Sequence, residues 1–151
     1  MPAVLAAFLL IGGLTARGAD AEKTLYERLG GQPAIEAVAD GLVDRILADN
    51  RVNKWFTHAA ASNENTNAYK GKLATFLCAS FGGPCKYTGP DMIAAHRGRG
   101  VTSEAFNAVA QDLVAQLEQL KVPEKEKNQV MAIVGSLKPY IVQSGPSEKR
   151  N

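Results

Sequence analysis

The chain has 151 residues, 46% of them hydrophobic and 21% charged, and a formal net charge of +2. That is enough chain for one domain with a real core, and too little charge to make nucleic acid or an anionic membrane surface the expected partner. Apart from the Arg97/Arg99 pair and the Lys149-Arg150 end, the basic residues lie scattered along the sequence. No nucleic-acid partner is expected.

The first 21 residues stand apart from the rest. Their apolar run is about a dozen residues long, too short for a membrane span of roughly 20. It leads to Ala19-Asp20-Ala21, the A-x-A form of an export cleavage site, although no Lys or Arg precedes it. Residues 1–21 are therefore expected to be a signal peptide, with no stable membrane insertion after its removal. That makes the protein periplasmic or secreted; an uncut chain would be cytoplasmic. Residues 22–143 form the expected domain, and 144–151 a flexible tail.

Residues 24–29 read as a short helix stopped by Gly30-Gly31. Pro33 suits the first turn of a second helix, in which Ile35, Val38, Leu42 and Ile46 repeat at steps of three and four. Asp40 and Asp44 fall on its polar side. "VNKWF" then begins a connection, and residues 57–67, "THAAASNENTN", read as a loop. From about Thr66 the pattern turns helical again, with Tyr69, Leu73 and Phe76 on one face and Lys72 at its margin. Gly82-Gly83-Pro84 ends that helix.

Within and just beyond it lie Cys78 and Cys85. An exported protein can join them, whereas a reducing compartment keeps both as thiols. Closing so short a loop is worth about 2.5 kcal/mol in chain entropy. As metal ligands they lack a partner set and the usual x-x spacing.

A short helix through 91–96 carries His96. Thr102 is the expected N-cap of the next helix, with Glu104 in its first turn and a stripe of Phe106, Val109, Leu113, Leu117 and Leu120. Pro123 opens the last helix, with Val130, Val134, Leu137 and Ile141 inward. No strand alternation or repeat interrupts the series, so the fold class is all-α.

The chain has no G-x-S-x-G, no phosphate-binding loop and no dinucleotide fingerprint. Nothing in sequence places Cys78 beside His58 or His96 as a nucleophile pair. His96 follows the apolar run Met92-Ile93-Ala94-Ala95 and precedes Arg97 and Arg99. A lone imidazole on a helix is either a satisfied or exposed side chain, or the single protein bond to a haem iron.

The order of five landmarks bears on that choice: "TLYERLGG", "ILADNRVNKWF", "FGG", "MIAAH" and "LEQLKVP…VMAIVGSLK". Together they resemble the truncated haemoglobins, most closely group I, over residues 24–143. The resemblance implies a 2-on-2 helical sandwich around one haem b per chain. It makes His96 the proximal iron ligand, and Phe56 the ring packed on the haem face. It also implies O2, NO or CO as small ligands. Conversion of NO and O2 to nitrate, with an unidentified reductase restoring ferrous iron, belongs to the same class.

On the distal side the chain departs from the family's pattern. Val43 stands where oxygen-binding members carry a tyrosine, and Tyr69, Lys72, Leu73 and Phe76 face the same space. About five extra residues, including His58, lie between Phe56 and that helix; His58 reads as a surface residue. Tyr69 is either packing or a hydrogen-bond donor. Arg97 and Arg99 either pair with haem propionates or stay solvated. Lys72 either reaches a propionate or, as the neutral amine, ligates the iron. Ligation would favour a different reading, a six-coordinate electron-transfer or redox-sensing haem protein. A haem-free helical interaction module is disfavoured by the matching His96 and Phe56.

Overall fold

The computed structural model describes residues 22–143. The expected signal peptide and tail lie outside the described residues. Helix α1 (Leu25–Leu29) begins with a reciprocal cap: Thr24 Oγ1 accepts from Glu27 N–H at 3.2 Å, and the Glu27 carboxylate accepts from Thr24 N–H at 2.8 Å. It ends at Gly30, whose φ of 117° lies in the left-handed region where a side chain is strained. One residue later α2 (Gln32–Ala48) starts with Pro33 in its first turn and buries Ile35, Val38, Leu42, Val43 and Ile46.

A 3-10 turn at Asn53–Phe56 follows, then α3 (Thr57–Ala60) and α4 (Asn63–Ser80). The loop expected over 57–67 is therefore mostly helical. Ser62 supplies the reason, because its Oγ accepts from Asn65 N–H at 3.1 Å and starts α4 three residues early. Asn65 Nδ2 donates to the His58 carbonyl at 2.9 Å and Thr66 Oγ1 to that of Ala59 at 2.8 Å, stitching α3 to α4.

Asp91 caps α5 (Met92–His96), its Oδ1 accepting from Ala94 N–H at 2.8 Å. Thr102 caps α6 (Ser103–Gln119) through Ala105 N–H at 3.1 Å. Leu113 and Leu117 of its stripe are buried, but Leu120 is 38% exposed, because the chain turns away there and Lys121 takes φ 56°. The last expected helix is broken into α7 (Glu124–Ser136) and α8 (Lys138–Ile141). Pro139 causes the break: it has no N–H to donate and its ring crowds the preceding turn.

Helix α2 packs most extensively on α4 and next on α6, and α6 packs on α7. Two helix pairs thus lie one over the other, the 2-on-2 sandwich. At the α2/α6 crossing the backbones come close enough that a methyl group on Gly41 would overlap the Gln116 amide. Gln116 is buried, but its Nε2 donates to the Ala37 carbonyl at 3.1 Å and its Oε1 accepts from Arg45 Nε at 3.1 Å. Arg28 of α1 closes the end of the sandwich onto α7, 2.8 Å from Glu126. Asp40 is exposed, and Asp44 meets Lys70 of α4 at 2.7 Å on the surface. Among the described residues no helix is long and apolar enough to cross a membrane.

Candidate functional site

His96 ends α5, little more than one turn long, so its orientation depends on anchors outside the helix. Its Nδ1 lies 2.8 Å from the Met92 carbonyl. A carbonyl only accepts, so Nδ1 carries a proton, and in the neutral ring Nε2, across from it, keeps a free lone pair. That is the tautomer a metal-binding imidazole needs. Gln143 holds the backbone behind it: its Nε2 donates to the His96 carbonyl, its Oε1 accepts from Gly100 N–H at 3.3 Å, and its own N–H reaches the Val101 carbonyl at 3.0 Å.

The apolar residues come from the 3-10 turn and α4. Phe56 and Tyr69 meet edge to face, centroids 5.7 Å apart at 64°. Burial pushes the Tyr69 phenol up to about 12, against the smaller opposing pull of Arg99. Leu73, four residues along α4, is half-buried. Phe76 is half-buried too, but its ring packs on Tyr87 at 5.2 Å. Val43 is fully covered and brings no polar atom. Ile93, one turn before His96, is 47% exposed, large for an isoleucine beside so much apolar surface.

Around these residues the charge is positive. Lys72, Arg97 and Arg99 are exposed, and none has a carboxylate within ion-pair distance among the described residues. His58 is also exposed, on α3. Cys78 and Cys85 form a disulfide, Cα atoms 5.8 Å apart, that ties the end of α4 to the strap leading towards α5. A depression of about 330 Å3 lined by Ala110, Val114 and Met131 shares no residue with this site.

Three participants were not found from sequence. Met92 acts through its carbonyl, and Gln143, the last residue before the expected tail, gave no signal because it lies on no apolar stripe. Trp55 carried a usable hint, since a partly buried indole N–H needs an acceptor. It donates to the Arg99 carbonyl at 2.9 Å, fastening the loop after His96 to the turn that bears Phe56.

The model of the bacterial-like globins matches residues 24–143. The chain belongs to that family. It is 36% identical over 118 residues to the group 1 truncated hemoglobin GlbN of Mycolicibacterium paratuberculosis, covering 78% of this chain and 83% of the relative. With the group 1 protein of Synechocystis it shares 35% over 117 residues, 75% of this chain and 90% of the other. The ferric truncated hemoglobin of Tetrahymena pyriformis superposes with a TM-score of 0.73 at 28% identity, covering 81% of this chain and all of that one. The 2/2 hemoglobin of Synechococcus, solved with covalently attached heme, gives 0.68 at 32% identity over 79% of this chain and 95% of its own.

This truncated haemoglobin, most like group 1, is thus a haem-binding globin. Its own residues suit the cofactor. An imidazole nitrogen without a partner among the described residues, an aromatic and aliphatic wall still partly open, and exposed cations at the margin suit an iron, a porphyrin face and two propionates.

Proposed function

We propose that this globin holds one haem b per chain, with His96 Nε2 as the proximal iron ligand, and reversibly binds O2, NO or CO on the opposite side. The observation that carries the reading is the 2.8 Å contact between His96 Nδ1 and the Met92 carbonyl, which frees Nε2. Bound haem supplies an iron that takes diatomic ligands and can turn NO and O2 into nitrate. The chain's part is positional. Phe56 packs on the porphyrin, and Arg97 and Arg99 pair with its propionates. Leu73 and Phe76 exclude water from the ligand side. With Val43 in place of a tyrosine, Tyr69 is the phenol on the α4 face, protonated at neutral pH and able to donate.

Titrating haem into the purified chain tests this reading. A Soret band that saturates at one equivalent, and shifts on adding CO to the reduced protein, is the expected result. A band that never saturates would overturn it. For the nitrate-forming activity, NO is mixed in a stopped-flow instrument with the ferrous protein equilibrated in O2. Nitrate formed within the mixing time supports it, and slow autoxidation alone refutes it.

A second reading, a six-coordinate electron-transfer or redox-sensing protein, is favoured by one observation. Lys72 shares a helix face with Tyr69 and Leu73 and has no ion-pair partner among the described residues. As a ligand it must be the neutral amine, which costs the ammonium its solvation. Lys72→Ala separates the two: loss of a low-spin spectrum assigns the sixth ligand, and an unchanged one removes Lys72 from that role.

We also place the protein outside the cytoplasm. The disulfide fits an oxidising compartment, and Ala19-Asp20-Ala21 fits a processed leader.

A further inference from the structure

Residues 51–100 supply Phe56, Tyr69, Leu73, Phe76 and His96, and they also concentrate the positive charge. Seven Lys or Arg and only two Asp or Glu fall in that stretch, in a chain whose net charge is +2. Of the seven, Arg51 is paired with Asp49 at 2.7 Å and Lys70 with Asp44 at 2.7 Å. The two acids are Asp91, engaged as the cap of α5, and Glu64 in the first turn of α4.

Trp55 links Lys54 to the loop that carries Arg99. The Lys54 ammonium sits 4.4 Å from the centre of the indole ring, and the same ring donates to the Arg99 carbonyl. Beside it Phe56 packs on Tyr69, and Lys72 lies one turn further along α4 on the same face. Arg97 follows His96 directly.

We propose that Lys54, Lys72, Arg97 and Arg99 form a docking surface at the mouth of the haem site for a one-electron donor protein with an acidic face. The inference rests on the haem reading above. In the step served, one electron leaves the reduced donor and ferric haem becomes ferrous; no bond is made or broken. Bound haem's two propionates would neutralise two of the four exposed cations and leave the others for the donor. Attraction between such faces raises the encounter rate and is screened over about 10 Å at 0.1 M salt. Four exposed cations on a chain of net charge only +2 complement an acidic protein face and are too few to hold a polyanion or an anionic bilayer.

Reduction of the ferric holoprotein by photoreduced flavodoxin, an acidic donor, tests the surface, with photoreduced riboflavin as an uncharged control. The flavodoxin rate constant is expected to fall at least about ten-fold between low and near-physiological salt, while the riboflavin rate stays flat. Lys54→Glu lowers the low-salt flavodoxin rate about five-fold or more. Lys125→Glu, the same charge change at an exposed position on α7, lowers it less than about two-fold. Every sample is first checked for one equivalent of haem. Lack of haem uptake defeats the functional reading and takes this inference with it. Full haem uptake with salt-independent reduction, or with equal effects of the two variants, overturns the docking surface alone. So does capture by anionic vesicles or DNA without flavodoxin-specific kinetics.

Discussion

Gln143 grips the backbone on both sides of the turn after His96, donating to the His96 carbonyl and accepting from Gly100 N–H at 3.3 Å. The last turn of the described chain thus sets the tilt of a helix whose own five residues are too few to do so. Trp55 holds the same turn from the other side.

Gln143→Ala should therefore loosen the site more than the fold. Losing one to two hydrogen bonds is worth about 1–1.5 kcal/mol, roughly a ten-fold faster loss of haem to an acceptor such as apomyoglobin. The urea midpoint should move little. An unchanged rate of haem loss would show that Trp55 and the Asp91 cap suffice.

Gly41 is a harder constraint. In an exposed helix, Gly→Ala gains about 1 kcal/mol in propensity. Here the added methyl collides with a Gln116 amide that has two hydrogen bonds to lose. Gly41→Ala is expected to cost about 1–3 kcal/mol in urea unfolding, with partial recovery on adding Gln116→Ala.

The contrast between α6 and α3 explains what the sequence made legible. Val109, Leu113 and Leu117 repeat at four-residue steps, and Thr102 announces the start, so the sequence alone marks α6. "THAAASNENTN" has no such stripe. Its helices depend on the Ser62 cap and on side-chain bonds from Asn65 and Thr66, which periodicity does not register. Likewise the break at Pro139 was missed because the apolar spacing runs across it. The basic cluster was invisible for another reason: Lys54 and the loop carrying Arg99 lie far apart in the chain and are joined through Trp55. His96 was singled out by the order of landmarks rather than by its immediate neighbours. The bond that sets its tautomer became visible only in the structure.

Tyr69 yields a pH prediction. Its phenol rises from 10.0 to about 12 in the folded chain because burial disfavours the phenolate. Above pH 10 the unfolded chain releases this proton while the folded one keeps it. Tyr69 therefore contributes its full stability below pH 10 and loses it as pH climbs towards about 12. Tyr69 should give its ultraviolet tyrosinate signal late, and Tyr69→Phe should remove that late step. If the late step survives in Tyr69→Phe, the assignment is wrong.

The central claim is that His96 Nε2 is the protein's bond to haem iron. The most direct measurement is the spectrum of His96→Gly after equimolar haem, without and then with free imidazole. The expected result is a weak, poorly saturating Soret band that becomes wild-type in position and intensity once imidazole fills the cavity. A normal, saturable Soret band without imidazole would mean that another side chain holds the iron and that His96 is not the proximal ligand.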